Sequence, residues 1–371
     1  MRHAWVSRVG IVILVGVMML STGFVLMADS ALADRDDISE PLDSQETENE
    51  TGAVLYVTNN GVDTQVCGRK ATPCRSISQA IAYAKDGDKI LVGPGRYGDV
   101  NGNGNFSDSG DESAEVNFGC VCMIKVNKSI TLKSSDGAAS TILDASGADL
   151  RVVVIQANGV TFGRRNAGFM MTNARREGLL LDGNTLGVTI VGNIAERTGT
   201  NGNDAITIQG GQHKVAENIA INNARAGLGI HGSGHTVIHN VSSNNLLGYN
   251  LSFSGRFMNN YSTGNQLNGM DVNANGLQID HNAIIGNKQL GLRVFTSNVS
   301  ITENNIFSNG TFGGNCGLQS DAATLAAPYN FWGAASGPGP DPADAVCVST
   351  AGNVVTVAPV ATQPFRIQAK F

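Results

Sequence analysis

The chain is 371 residues long, 42% hydrophobic and 15% charged, with 31 acidic against 25 basic side chains and a formal net charge of −6. That balance excludes a nucleic-acid partner, whose phosphates demand a basic face. The first 33 residues read as an export signal. Arg2 and Arg8 flank the start of an apolar stretch over residues 11–28, and Ala31-Leu32-Ala33 supplies a small-x-small cleavage site. The stretch is nearly long enough to span a bilayer, so an uncleaved anchor is the other reading of the same residues. With the signal removed, the sequence predicts a secreted, extracellular or cell-surface monomer with no membrane segment.

Residues 34–53 set Asp34, Asp36, Asp37, Glu40, Asp43, Glu46, Glu48 and Glu50 against Arg35 alone, with almost no large apolar side chain. Such a stretch buries too little to fold, and it reads as an acidic disordered linker. Beyond it, Ile77, Ala80, Ile81 and Ala84 recur at helical spacing and predict a short amphipathic helix. The run Asp99-Val-Asn101-Gly-Asn103-Gly-Asn105-Phe-Ser107 begins like a calcium loop. A bidentate acid is wanted at its twelfth place, which here is Gly110, with Asp111 and Glu112 following. Ca²⁺ is therefore the one cofactor expected, on Asp99, Asn101, Asn103, Asn105 and Asp111. A solvated Asn/Gly-rich loop is the competing reading.

All six cysteines lie in the exported part, where an even count points to disulfides. Cys67–Cys74 and Cys316–Cys347 are the natural pairs, bracketing the two ends of the ordered region. Cys120 and Cys122 are two residues apart, and a bridge there is expected to be strained.

The middle of the chain repeats. Short apolar strands begin at Gly178, Ala205, Gly227, Gly248, Gly269 and Gly291, at steps of 27, 22, 21, 21 and 22 residues. A second strand follows each and ends at Asn193, Asn218, Asn240, Asn260, Asn282 and Asn304. A third ends at Asn223, Asn245, Asn265, Asn287 and Asn309. Three strands per unit of about 22 residues, with no helical segment between, is the pattern of a parallel β-helix whose coils stack ~4.8 Å apart. Stacked Asn amides can hydrogen-bond from coil to coil, and Asn tolerates the left-handed backbone of a sharp turn. A solenoid leaves unpaired strand edges at both ends. The 77–84 helix is expected to cap the first coil. Phe331, Trp332 and the Cys316–Cys347 loop are expected to close the other end. The domains expected are then 1–33 signal, 34–53 linker, 54–345 all-β right-handed parallel β-helix with its N-terminal capping helix, and 346–371 C-terminal cap.

These units resemble the repeats of the secreted right-handed parallel β-helix proteins of the pectin-lyase-like superfamily. Leu55-Tyr56-Val57 with Asn60-Gly61, then Ser76-Ile77-Ser78-Gln79-Ala80-Ile81 and Val92-Gly93-Pro94-Gly95-Arg96-Tyr97, is similar to the usual N-terminal entry. Asn330-Phe331-Trp332-Gly333 with Ser336-Gly337-Pro338 is similar to the closing motif of many members. The resemblance implies a glycan or polysaccharide partner lying in a groove floored by one strand face.

Alternation places the chemistry on that face. In G-L-x-I the apolar residues point inward, so Leu180, Thr207, Gly229, Asn250, Asp271 and Arg293 form one outward column. Asp182, Gln209, His231, Ser252, Asn273 and Phe295 form the next. A polar face of mixed charge suits a hydroxyl-rich glycan. Elimination of a uronate needs a base at C5 and a cation for its carboxylate. His231 or Arg293 is the candidate base, and Arg293 or a Ca²⁺ on Asp271 the candidate cation, so His231, Asp271 and Arg293 are the catalytic candidates. The bland alternatives are an Asp271–Arg293 surface ion pair and a solvated His231. Hydrolysis wants two carboxylates roughly 5–9.5 Å apart, whereas Asp204 lies three coils, about 14 Å, from Asp271. His231, His235 and His239 are four apart, but strand and turn geometry keeps them from converging on a metal. The sequence thus leaves two readings: a protein that binds or processes polysaccharide, with uronate-polymer lyase as its enzymatic form, or a non-catalytic structural or adhesive module.

Overall fold

The computed structural model describes residues 52–113, 115, 120–311 and 314–368. The signal expected at 1–33 and nearly all of the linker at 34–53 lie outside them. The described chain winds as a right-handed parallel β-helix of three faces. The first face stacks Cys122–Val126, Arg151–Ile155, Leu179–Leu181, Ile206–Ile208, the starts of Ala226–Ile238 and Leu247–Met258, Met270–Val272, Leu292–Val294, Cys316–Ser320 and Ala345–Val348. The second face runs from Val54–Val57 and Lys89–Val92 to Val299–Thr302, and the third is a nine-stranded parallel sheet. Right-handed winding is the hand of nearly all parallel crossovers.

Register follows the alternation. Leu228, Ile230, Met270, Val272, Leu292 and Val294 are fully buried, while Asp271 pairs across to Arg293 on the next coil. A slip of one residue would turn that apolar set out to solvent. Two strands are longer than the repeat predicts. Ala226–Ile238 and Leu247–Met258 carry their pairing round the corner from the first face to the second. Gly232 and Gly255, at φ +120° and +139°, allow the backbone to turn there, and the pairing resumes at His235 after a register shift at Gly234. The β-helix also runs past residue 345, because Ala345–Val348 pairs with Cys316–Ser320 and Val354–Thr356 with Thr324–Ala326.

The Asn residues form two ladders. In the first, Asn193, Asn218, Asn240, Asn260, Asn282 and Asn304 each donate both the backbone N–H and the Nδ2–H to the Oδ1 of the Asn one coil on. Asn330, from the closing motif, is its last member, and all seven are fully buried. The second ladder starts at Thr198 and ends on a carboxylate, Asp344, which accepts from Asn309. The left-handed residue is not the Asn, as the sequence led us to expect, but the residue before it: Glu217, His239, Asn259, His281, Glu303 and Tyr329 all have φ between 53° and 60°. The cause is local. Asn240, Asn260, Asn282 and Asn304 each donate Nδ2–H to the carbonyl two residues back, clamping the intervening residue into the corner. Those bonds offset the 1–2 kcal/mol, roughly, that a left-handed L-residue costs.

Both expected disulfides are present, and Cys120 is joined to Cys122 as well. The sequence reading expected a bridge between residues two apart to be strained. Val121 adopts φ 47°, which reverses the chain and brings the two Cα atoms to 5.1 Å. A helix, Ile77–Tyr83, stands where the spacing put one, with Ile77, Ala80 and Ile81 buried and Ser76 accepting from the Gln79 N–H at its start. The buried Glu112 carboxylate accepts the Ile77 and Ser78 N–H groups. At the far end Trp332 is fully buried, and Phe365 returns over the third face to exchange backbone bonds with the Asn305 side chain.

At one corner the ladder is made of imidazoles. His213 Nδ1 accepts from the Val188 N–H, His235 Nδ1 from the His213 N–H, and the two buried rings stack 5.0 Å apart. Burial, then the neighbouring His235, depresses the His213 pKa to about 4. Burial lowers that of His235. Both rings act as acceptors, so both must be neutral when folded. A folded pKa below the unfolded 6.5 means this stability is present above pH 6.5 and is lost as pH falls toward 4. The loss is roughly 3 kcal/mol for His213. Asp344 opposes it over part of that range, because burial raises its pKa to about 6 and the folded form gains a proton there. The expected result is that His213→Gln/His235→Gln melts with less acid sensitivity between pH 6.5 and 4 than the native chain. Parallel pH profiles would refute the imidazole ladder as the source.

Candidate functional site

Glu177 and Asp204 hold the same place on successive coils, two residues before the paired Leu179 and Ile206. Both acids are buried at the edge of the first face. Glu177 is matched by Arg151, whose Nε lies 3.0 Å from Oε2, and Asn203 Nδ2 donates to Oε1 at 3.2 Å. Asp204 is less well matched. Like Glu177 Oε2, its Oδ1 accepts no hydrogen bond, and the half-exposed Arg225 stands 3.4 Å off, against 3.0 Å for Arg151, while donating to the Gly202 carbonyl. The Asp204 carboxyl folds up over the next coil, onto Gly229. A Cβ at Gly229 would meet Asp204 Oδ2 at 2.0 Å, so only glycine leaves room for it.

His231 lies two residues beyond Gly229 on the same strand and face, half-buried. Burial raises the Asp204 pKa, with Arg225 and His231 pulling it down and Glu177 adding to the rise. Burial lowers the His231 pKa, opposed by Asp204. Burial thus shifts both groups toward their uncharged forms, the direction that suits a carboxyl acid and an imidazole base. Arg225 adds the cation.

The candidates named from sequence divide between two places. His231 belongs to the Asp204 cluster. Asp271 and Arg293 lie two and three coils further on and do not bond each other. Arg293 turns to the following coil, donating Nε–H to Asp321 Oδ2 at 2.9 Å with its NH2 also 2.9 Å from that oxygen. Asp271 accepts from Asn268 Nδ2 at 2.7 Å, and burial raises its pKa. Sequence reasoning missed Glu177, Asp204's role and Arg225. The usable signal was an acid at the same offset before two consecutive strands, followed one coil later by a glycine in the outward column.

In the loop expected to take calcium, Asp99 accepts from the Gly102 and Gly104 N–H groups and Asp111 from those of Val100 and Asp108. Asn101, Asn103 and Asn105 each accept the N–H two residues on. Asp108, not nominated from sequence, draws the Asn101 and Asn103 amides to one oxygen. Among the described residues, the one group of His, Cys, Asp or Glu atoms close enough to share an ion is Asp63, Cys67 and Cys74, whose two sulfurs are already bonded to each other. Of the three spaced histidines, His235 is spent in the imidazole stack and His239 in a left-handed corner. Among the described residues no helix is long and apolar enough to cross a membrane.

No protein-family model and no curated protein matches the sequence. Among solved structures the chain is similar to a pectate lyase, Pel9A, with a TM-score of 0.53 and 18% identity over 84% of this chain and 79% of that one. It is also similar to the A-module of the Azotobacter vinelandii mannuronan C-5 epimerase AlgE4, with a TM-score of 0.47 and 12% identity over 76% and 89%. At these identities the likeness is one of fold.

Proposed function

We propose that this chain, whose fold is that of the pectin-lyase-like right-handed parallel β-helix proteins, processes an acidic polysaccharide on its first face by abstracting the C5 proton of a uronate. The observation that carries the reading is the buried Asp204 carboxyl, its pKa raised by burial, which packs on Gly229 two residues from His231 and has the Arg225 guanidinium 3.4 Å away. His231 takes the C5 proton. Arg225 balances the uronate carboxylate, which makes that proton acidic enough to remove. Asp204 delivers a proton to the O4 leaving group as the C4–O4 bond breaks and the C4=C5 double bond forms. The similarity in fold to a pectate lyase supports the substrate class. So does a face that offers hydroxyl, amide and carboxamide groups along its length.

The test is incubation of the purified protein with a panel of uronic-acid polymers, with and without Ca²⁺, following the ultraviolet absorbance of the unsaturated product. Product from one polymer supports the reading. Binding of every polymer without product would leave a glycan-binding module, and no binding at all a structural one.

A calcium ion in the 99–111 loop is a separate proposal, on Asp99, Asn101, Asn103, Asn105 and Asp111. Chelation is expected to lower the Tm by a few degrees and added Ca²⁺ to restore it. Coincident melts under chelator and excess Ca²⁺ would leave the loop as polar chain bonded to itself.

A further inference from the structure

The outward column that carries His231 continues along the first face. His231 pairs with Ser252, and the backbone N–H groups of Asn273 and Phe295 bond to Leu251 and Val272 of the preceding coils. Phe295 therefore stands three coils, ~14 Å, from His231. The residue is 37% exposed. A lone exposed aromatic is ordinary, but this one is held. The Arg293 guanidinium lies 4.6 Å from the ring centroid and is itself fixed by Asp321, which Gln319 Nε2 also bonds at 3.1 Å. Arg293 is thus committed to a carboxylate, and its plane supports one side of the ring while the rest meets solvent.

We propose that Phe295 is the stacking platform of a distal sugar-binding subsite. It takes the apolar C–H face of a pyranose ring in the same polysaccharide chain whose uronate lies at His231. This rests on the carbohydrate reading above. An aromatic face packs well against the C–H face of a sugar, and a pyranose unit is about as long as the spacing between coils. A chain threaded along the helix axis then puts about two sugars between the unit at His231 and the unit on Phe295. Ser252 and Asn273, uncharged and open to solvent, offer hydrogen bonds to the hydroxyls of the intervening units. Arg293 acts as a positioning residue for the ring, not as the base.

The experiment is calorimetric titration of the full chain with oligogalacturonates and oligomannuronates of two to eight sugars. It is run in the Asp204→Asn background so that turnover is slow on the timescale of the titration, and repeated with Phe295→Ala and Phe295→Trp added. Affinity is expected to rise about tenfold once the oligomer is long enough to reach the platform. That step should vanish in Phe295→Ala, persist in Phe295→Trp, and leave the shortest oligomers unaffected throughout. Equal affinities for the alanine variant and its parent at every length, absence of binding included, would overturn the proposal. Turnover by the native chain is read separately. A length step with no turnover of any polymer keeps the subsite and removes the lyase, whereas turnover without the step does the reverse.

Discussion

Asn260→Ala is expected to destabilise the protein by ~3–5 kcal/mol, read as a lowered denaturant midpoint, although the side chain touches no ligand. Asn260 is fully buried and sits in the middle of the first ladder. Its Oδ1 accepts from the Asn240 N–H and Nδ2–H, and its own Nδ2 donates to Asn282, to the Val237 carbonyl and to the Met258 carbonyl. Truncation strands the buried Asn240 N–H on the coil below and leaves the Val237 and Met258 carbonyls without this donor. Each such group costs about 1–3 kcal/mol when no water can replace the partner. The clamp that holds Asn259 at φ 55° is lost with it. Gln278→Ala, on an exposed outward position of the second face, is the control and should stay within about 0.5 kcal/mol of the native chain. Equal midpoints for the two variants would show that strand pairing alone holds the corner.

Asp204→Asn is expected to lower turnover of the uronate polymer by about 10²–10⁴-fold while leaving the melting temperature unchanged or slightly raised. An amide is nearly isosteric with the carboxyl and cannot deliver its proton, and it removes a buried acid whose ionised form burial penalises. His231→Ala should fall in the same range. Arg225→Ala should act mainly on KM if it holds the substrate carboxylate, and on kcat if it also acidifies the C5 proton. The pH profile carries a second check. Activity needs His231 neutral and Asp204 protonated, so one limb of the profile belongs to each group. Loss of one limb in Asp204→Asn, on whatever residual rate survives, fits the assignment. An unchanged profile, or full activity, would remove Asp204 from the chemistry.

Much of the architecture was legible in the residues because two short-range periodicities agree. Period-two alternation decides which side chains enter the core, and the recurring Asn decides where each coil turns. Together they admit one register, with Leu228, Ile230, Met270, Val272, Leu292 and Val294 inside and Asp271 opposite Arg293. The disulfide pairs at the two ends followed from position along the same axis. What the residues alone did not decide is how long side chains choose among neighbours. Arg293 can reach the coil on either side, and it takes Asp321 over Asp271 although both adjoin it. Asp204 lies outside the alternating strand, and it reaches the face only because Gly229, one coil up, has no side chain to stop it. The left-handed corner residues and the Cys120–Cys122 bridge belong with these. Sequence spacing fixes where a backbone atom falls along the stack, but the corner clamp, the reversed Val121 and the competition for each carboxylate exist only once neighbouring coils are in contact.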